Sequence, residues 1–229
     1  GWGDLGGNVL DRCIALLSID PTGGDRSQRS SKNDDPDFYG FCVQLYDLGL
    51  AEEKAPRPGR PYCPYRIYIP EAYQVRLSTR QAVAHSIDLH RRWHFHETLV
   101  ESQGAQTVHE WFWQWAPSMR VIPMPTGNLS KQQRLEATTP LLDDPRQMIL
   151  FHPNVAKEDA AVDDVPVRVQ SPNPETFYGK RALREQLLNF PLNHDDALDA
   201  YVQGIRYGKA QYLPAIDGGG SPINVSHRT

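Results

Sequence analysis

The residues best suited to chemistry lie at the start of one predicted helix, where three carboxylates crowd into a short stretch. That stretch reads Asn193-His194-Asp195-Asp196-Ala197-Leu198-Asp199-Ala200-Tyr201. One face of the helix is an apolar stripe formed by Leu198, Val202 and Ile205. Asp199 lies beside this stripe and is expected to point toward a sheet, whereas Asp196, about 60° further round, is expected to face the rim of a cleft. Acids in a first turn also complement the helix dipole, and Asp195 is the expected cap.

Two further acids each end a predicted strand. Asp20 closes the apolar run 12–20 before a Pro-Thr-Gly-Gly turn, and Glu101 closes the run 97–101 before Ser-Gln-Gly. Ligands of open α/β sheets gather outside the carboxyl ends of the strands, so both acids are placed to meet a third acid from a covering helix. Hard divalent cations prefer oxygen ligands, and a pair of Mg²⁺ or Mn²⁺ ions can clamp the attacking and leaving oxygens of a phosphodiester.

The order of the predicted elements indicates the fold class that must position these acids. Strands are predicted at 12–20, 38–48, 64–77, 97–101 and 120–124, and helices at 78–93, 106–115, 130–142, 180–189 and 195–207. Three strands joined by turns, followed by strands that alternate with helices, predict an α/β fold with a mixed β-sheet covered by helices on both faces.

This order, with acids on the first strand, the fourth strand and the last helix, resembles that of the ribonuclease-H-like nucleases. In detail, the sequence is similar to the C-terminal nuclease domain of the large terminase subunit of tailed phages, over about residues 12–207. The segments that carry the resemblance are Ser18-Ile19-Asp20-Pro21-Thr22-Gly23-Gly24, Leu99-Val100-Glu101-Ser102, Leu129-Ser130-Lys131-Gln132-Gln133-Arg134, Glu185-Gln186-Leu187-Leu188-Asn189-Phe190-Pro191 and His194-Asp195-Asp196-Ala197-Leu198-Asp199-Ala200.

The resemblance implies a metal-dependent endonuclease that cuts double-stranded viral DNA with little sequence preference during genome packaging. It implies two divalent ions, Mg²⁺ or Mn²⁺, with Asp20 and Glu101 as the first two catalytic metal ligands. Asp196 and Asp199 both match the acids of the last helix, and which of them completes the site stays open. A junction resolvase or a transposase-like strand transferase of the same superfamily remains an alternative, as does a non-catalytic module that docks on the portal or on DNA.

Neighbouring residues are expected to support the ligands and to hold the substrate. His194 and Asp195 are expected to lie behind the metal ligands. Lys131 and Arg134, one helical turn apart, are the expected contacts to DNA phosphates. The formal net charge of −4 argues mildly against nucleic-acid binding, but a local cluster of cations can override it. By the resemblance, the partners are double-stranded DNA, the portal protein, the small terminase subunit and an ATPase domain of the same polypeptide.

Length and composition bound the remaining alternatives. At 229 residues the chain can bury roughly 70–75% of its unfolded surface without disulfides. Cys13, Cys42 and Cys63 are three cysteines, an odd number, without metal-ligand spacing, which is typical of buried thiols in a reducing compartment.

No Gly-x-x-x-x-Gly-Lys-Ser/Thr phosphate loop occurs in the sequence, so ATP hydrolysis is not expected. No apolar run reaches ~18–20 residues and there is no secretory signal, so we expect a protein that is not secreted and contacts no membrane. The resemblance implies that it works in the cytoplasm of an infected bacterial host.

Three segments are expected along the chain. Residues 1–11 resemble an N-terminal loop or a cloning remnant, and residues 12–209 form the expected ribonuclease-H-like nuclease domain. Residues 210–229 are expected to be a mobile C-terminal tail, because a Gly-Gly-Gly-Ser-Pro run leads into polar sequence there.

Overall fold

A mixed eight-stranded sheet organises the chain. The computed structural model describes residues 11–21, 38–49, 65–102, 106–125, 130–144, 146, 148–155, 163–169, 174–190 and 196–213. The strands are β1 (Cys13–Pro21), β2 (Phe38–Asp47), β3 (Arg66–Arg76), β4 (Glu97–Glu101), β5 (Val121–Met124), β6 (Ile149–Phe151), β7 (Asp163–Val169) and β8 (Glu175–Lys180). The helices are α1 (Thr79–Trp93), α2 (Gln106–Trp115), α3 (Lys131–Glu136), α4 (Thr139–Leu142), α5 (Leu183–Asn189) and α6 (Asp196–Tyr212).

The strand order places β1 inside the sheet, between β4 and β2. The order is β5-β4-β1-β2-β3-β8-β7, and β6 pairs with β3 outside this path. The strands β1, β2 and β3 are antiparallel neighbours, whereas β4 and β5 run parallel to β1. Parallel strands need a crossover connection, and α1 and α2 supply it before β4 and β5. The expected mixed sheet of an α/β fold is therefore confirmed.

Both faces of β1 are buried, which explains its nearly continuous apolar sequence. On one face, Leu17 shares a core with Val83 of α1 and Phe112 of α2. On the other face, Leu16 shares a core with Tyr201 of α6. Helices therefore cover both faces of the sheet, as the sequence predicts.

The last helix lies close against β2 and is fixed there by polar side chains. Gln44 of β2 donates from Nε2 to the carbonyl of Tyr201 at 2.9 Å, and the hydroxyl of Tyr46 lies 3.0 Å from the carbonyl of Gly204. A Cβ at Gly204 would overlap the Gln44 side chain, so the helix approaches the strand at a residue that has no side chain. These contacts set the position of α6 along the sheet.

The chain between β5 and α5 differs from the predicted pattern. The helix predicted at 130–142 is two short helices, α3 and α4, because Pro140 cannot continue the helical hydrogen bonds and instead lies in the first turn of α4. Three strands, β6, β7 and β8, were not predicted. β6 has only three residues, and β7 contains Pro166, which is tolerated because β7 forms the edge of the sheet. Because β8 ends at Lys180, α5 begins at Leu183 rather than at 180.

The folded domain extends past its expected boundary at residue 209. The hydroxyl of Tyr212, at the end of α6, donates to the buried carboxylate of Glu97, and Leu213 is buried. Residues 210–213 therefore belong to the domain and not to a tail. Residues 1–10 and 214–229, which make up most of the two expected terminal segments, lie outside the described residues. Within the described part of the chain, no helix is long and apolar enough to cross a membrane.

Candidate functional site

Asp20 and Glu101 lie side by side at the carboxyl ends of β1 and β4. The two strands are parallel and Ile19 is paired with Val100, so the next residue on each strand is one of these acids. Leu99 belongs to the core beneath α6, and side chains alternate along a strand, so Glu101 and its neighbour Asp20 point to the α6 face. The fold thus brings together the two acids that the sequence places at strand ends.

The first turn of α6 reaches these acids because β2 carries no side chain at Gly40. Gly40 is paired with Asp20 across β2 and β1. A Cβ at Gly40 would overlap the carbonyl oxygen of Asp196, so only glycine allows the helix to start this close to the sheet. The backbone contact places Asp196 and Asp199 over the carboxyl end of β1.

The four acids are close enough to change the ionisation of Asp20. Burial raises the pKa of Asp20 well above its ordinary value, and a hydrogen bond with Glu101 and the negative charges of Asp199, Glu101 and Asp196 raise that pKa further. The raised pKa favours the protonated form of Asp20 in the metal-free cluster. A divalent cation would compete with that proton and relieve the same repulsion.

Asp199 is paired with two cations of α3. Lys131 Nζ lies 2.6 Å from one carboxylate oxygen of Asp199, and a guanidinium nitrogen of Arg134 lies 3.6 Å from the other. The helix that presents both cations is fixed by its cap, in which Ser130 Oγ accepts from the Gln133 amide at 3.2 Å. The Arg134 side chain is 8% exposed and that of Lys131 is 47% exposed. Of the two expected DNA contacts, Lys131 is therefore the one open to a phosphate, whereas Arg134 is buried against Asp199.

The four carboxylates of this cluster suit a hard divalent cation, but their oxygens are not yet arranged around a common point where an ion could bind. Carboxylate oxygens are the ligands that Mg²⁺ and Mn²⁺ prefer. Among the described residues, no three His, Cys, Asp or Glu side chains are arranged to hold an ion as they stand. Both oxygens of Asp199 face cations, and Asp20 favours its protonated form. A bound ion would therefore compete with Lys131 for Asp199 and with the proton of Asp20.

The two acids of α6 are both buried, so the expected difference between a rim acid and a sheet acid does not appear in their exposure. Asp196 is 5% exposed and Asp199 is 8% exposed. The charge of Asp199 raises the pKa of Asp20 more than the charge of Asp196 does. His194 and Asp195 lie outside the described residues, so their supporting roles stay predictions.

A buried pair of glutamines behind the acids was missed by sequence reasoning. Gln186 of α5 donates from Nε2 to Oε1 of Gln74 at 2.8 Å, and its own Oε1 accepts from the amide of Leu198 at 2.9 Å. Both glutamines are buried. The sequence feature that indicates this pair is the spacing of Gln186, which lies three residues after Leu183 on the face that an amphipathic α5 buries. A polar residue at such a position needs buried partners.

No family model matches this chain, and no curated protein matches it. Among solved structures, its fold is similar to the crystal structure of the large terminase nuclease from thermophilic phage G20c. The two chains share 16% sequence identity with a TM-score of 0.44, over 87% of this chain and 83% of that chain. A likeness at this distance assigns neither an activity nor site residues.

Proposed function

We propose that this domain is a metal-dependent endonuclease that hydrolyses phosphodiester bonds of double-stranded DNA with little sequence preference. The observation that carries the proposal is the convergence of Asp20, Glu101, Asp196 and Asp199, from three separate elements, at the carboxyl ends of two parallel strands. Burial and the repulsion among these carboxylates together raise the pKa of Asp20 well above its ordinary value. Perturbed acids in such a position favour a catalytic site over a structural one.

Each side chain of the cluster has a role in this proposal. Asp20, Glu101, Asp196 and Asp199 would hold two Mg²⁺ or Mn²⁺ ions. When bound, such ions supply Lewis-acid stabilisation of charge on the phosphodiester and a nucleophile at neutral pH. Ion binding would favour the ionised form of Asp20 and would compete with Lys131 for the carboxylate of Asp199. Lys131 is then placed beside the acids to bind a phosphate of the DNA backbone.

The closeness of Asp20 and Glu101 supports an enzyme over a docking module. In a module with purely structural acids, these two could lie more than about 8 Å apart, too far to share ions that are normally ~3.5–4 Å from each other. Here they end adjacent parallel strands, and Glu101 is near enough to raise the pKa of Asp20.

The proposed setting comes from the sequence resemblance. We place the domain in a phage packaging motor in the cytoplasm of an infected bacterium. There it would act on viral DNA together with an ATPase domain of the same polypeptide, the portal protein and the small terminase subunit. No observation on the described residues favours a junction resolvase or a transposase-like enzyme over this setting.

A plasmid-nicking assay tests the proposal. With Mn²⁺, supercoiled plasmid should be nicked and then cut at scattered positions, and a chelator should stop the reaction. Asp20→Ala should abolish cutting because it removes a ligand from the centre of the cluster, whereas Asp143→Ala, at an exposed acid after α4, should cut like the wild type. Plasmid left intact with Mn²⁺, or wild-type cutting by Asp20→Ala, contradicts the proposal. A strong preference for branched DNA would instead indicate a resolvase.

A further inference from the structure

The start of α6 is held by a side chain of another helix. The first N–H groups of a helix have no acceptor within that helix. The Leu198 amide, in the first turn of α6, donates to Oε1 of Gln186 at 2.9 Å, from α5 to α6 and across 12 residues of sequence. Leu198 lies between Asp196 and Asp199, so the bond fixes the helix at the point that carries both acids.

Gln186 is fixed in turn by the sheet. Its Nε2 donates to Oε1 of Gln74 on β3 at 2.8 Å. Gln74 is paired with Gly40 across β3 and β2, and Gly40 is paired with Asp20 across β2 and β1. Gln74, Gly40 and Asp20 thus form a row across three strands, and Gln186 ties the first turn of α6 to that row.

We propose that Gln186 is a positioning residue that keeps Asp196 and Asp199 in register with Asp20. The part of this proposal that concerns metal rests on the proposed function, whereas the part that concerns the helix does not. Removing the side-chain amide of Gln186 would leave two buried groups without this partner, the backbone N–H of Leu198 and the side-chain Oε1 of Gln74. Side chains that orient metal ligands typically change metal affinity by about 10- to 100-fold when they are replaced.

Gln186→Met is the test variant because methionine has a similar length and no hydrogen-bonding amide. Gln203→Met is the matched control. Gln203 is also buried, lies on α6 itself, and has an Nε2 without a hydrogen-bond partner among the described residues. Any general effect of replacing a buried glutamine should appear in both variants. Adding Gln74→Met to Gln186→Met should change little more, because the two glutamines act as one unit.

Amide hydrogen exchange measures the positioning without metal or cutting. The Leu198 amide should exchange roughly 10-fold faster in Gln186→Met than in the wild type, and no faster in Gln203→Met. The Mn²⁺ concentration for half-maximal plasmid cutting should rise roughly 10-fold in Gln186→Met, with a near wild-type rate at saturating Mn²⁺. A higher Mn²⁺ requirement with an unchanged rate at saturating Mn²⁺ distinguishes a positioning residue from one that only stabilises the fold.

Two results overturn the proposal. One is a Leu198 exchange rate that does not change in Gln186→Met, or that changes equally in Gln203→Met. The other is faster exchange with an unchanged dependence on Mn²⁺. If the wild type does not cut DNA, the proposed function fails separately. The Leu198 exchange rate, with Mn²⁺ binding measured by calorimetry, then still decides the role of Gln186.

Discussion

The two long helices of this domain begin in different ways. α1 is capped by its own neighbours, because Ser78 Oγ accepts from the Gln81 amide at 3.4 Å and Gln81 Oε1 accepts from the Ser78 amide at 2.8 Å. In α6, the Leu198 amide of the first turn donates to a side chain of another helix, Gln186 of α5. α1 has no acid in its first turn, whereas α6 has Asp196 and Asp199 there. A local cap suffices to start a helix, but a helix that carries ligands also needs contacts that set its position against the sheet.

The surfaces beneath the two helices differ in the same way. α1 buries Val83 and Leu89 in an apolar core with Leu17 of β1, and Tyr73 of β3 reaches it through the side chain of His85. Beneath α6, Gln44 and Tyr46 of β2 reach the helix carbonyls, and Gly40 admits its first turn. A change beneath α1 should therefore affect mainly stability, whereas a change beneath α6 should also displace the acids.

The largest effect is expected from Gly40→Ala, because the new Cβ overlaps the backbone of Asp196. We expect a loss of about 1–3 kcal/mol in the free energy of unfolding. Cutting should fall by about 100-fold or more, since misplacement of a catalytic group by roughly 1 Å can have that effect. Denaturant unfolding and plasmid nicking measure the two losses. Gly49→Ala is the control, since its Cβ would come no closer than 3.3 Å to the flexible Arg12 side chain and 3.5 Å to Asp47 Oδ1. Equal cutting by both variants would show that α6 need not approach β2 closely.

A smaller effect is expected from Ser78→Ala, which removes the local cap of α1. The free energy of unfolding should fall by about 1 kcal/mol. Cutting and its dependence on Mn²⁺ should stay at wild-type values in the folded protein, because α1 lies on the face of the sheet opposite the acids. A changed Mn²⁺ dependence in Ser78→Ala would remove the distinction between the two helix starts.

The smallest change in stability is expected from Asp20→Asn, and it should be a gain. The raised pKa of Asp20 means that the unfolded chain releases this proton more readily than the folded chain. The metal-free wild type should therefore lose stability as the pH rises above about 3.9, the ordinary aspartate pKa, toward the raised value. Asp20→Asn should reduce that dependence and unfold at the same or a higher denaturant concentration. Marked destabilisation of the metal-free variant would show that Asp20 is a structural residue.

The parts of this fold that depend on local sequence were predictable. The first five strands and α1 follow apolar runs, turn residues and the Ser78 cap, and acids at strand ends indicated where a site would form. The strand β7 was hidden by Pro166, which only an edge position tolerates. The pairing of Lys131 with Asp199 and the bond from Leu198 to Gln186 join distant segments, and no local pattern specifies them.

A crystal structure with Mn²⁺, located by its anomalous scattering, tests the central claim most directly. We predict Mn²⁺ bound by Asp20, Glu101 and at least one of Asp196 and Asp199. The structure should also show which acid of α6 completes the site, and whether the 2.6 Å contact of Asp199 with Lys131 changes. Mn²⁺ absent from the cluster at concentrations that support cutting, or bound there without contact to Asp196 or Asp199, would contradict the account.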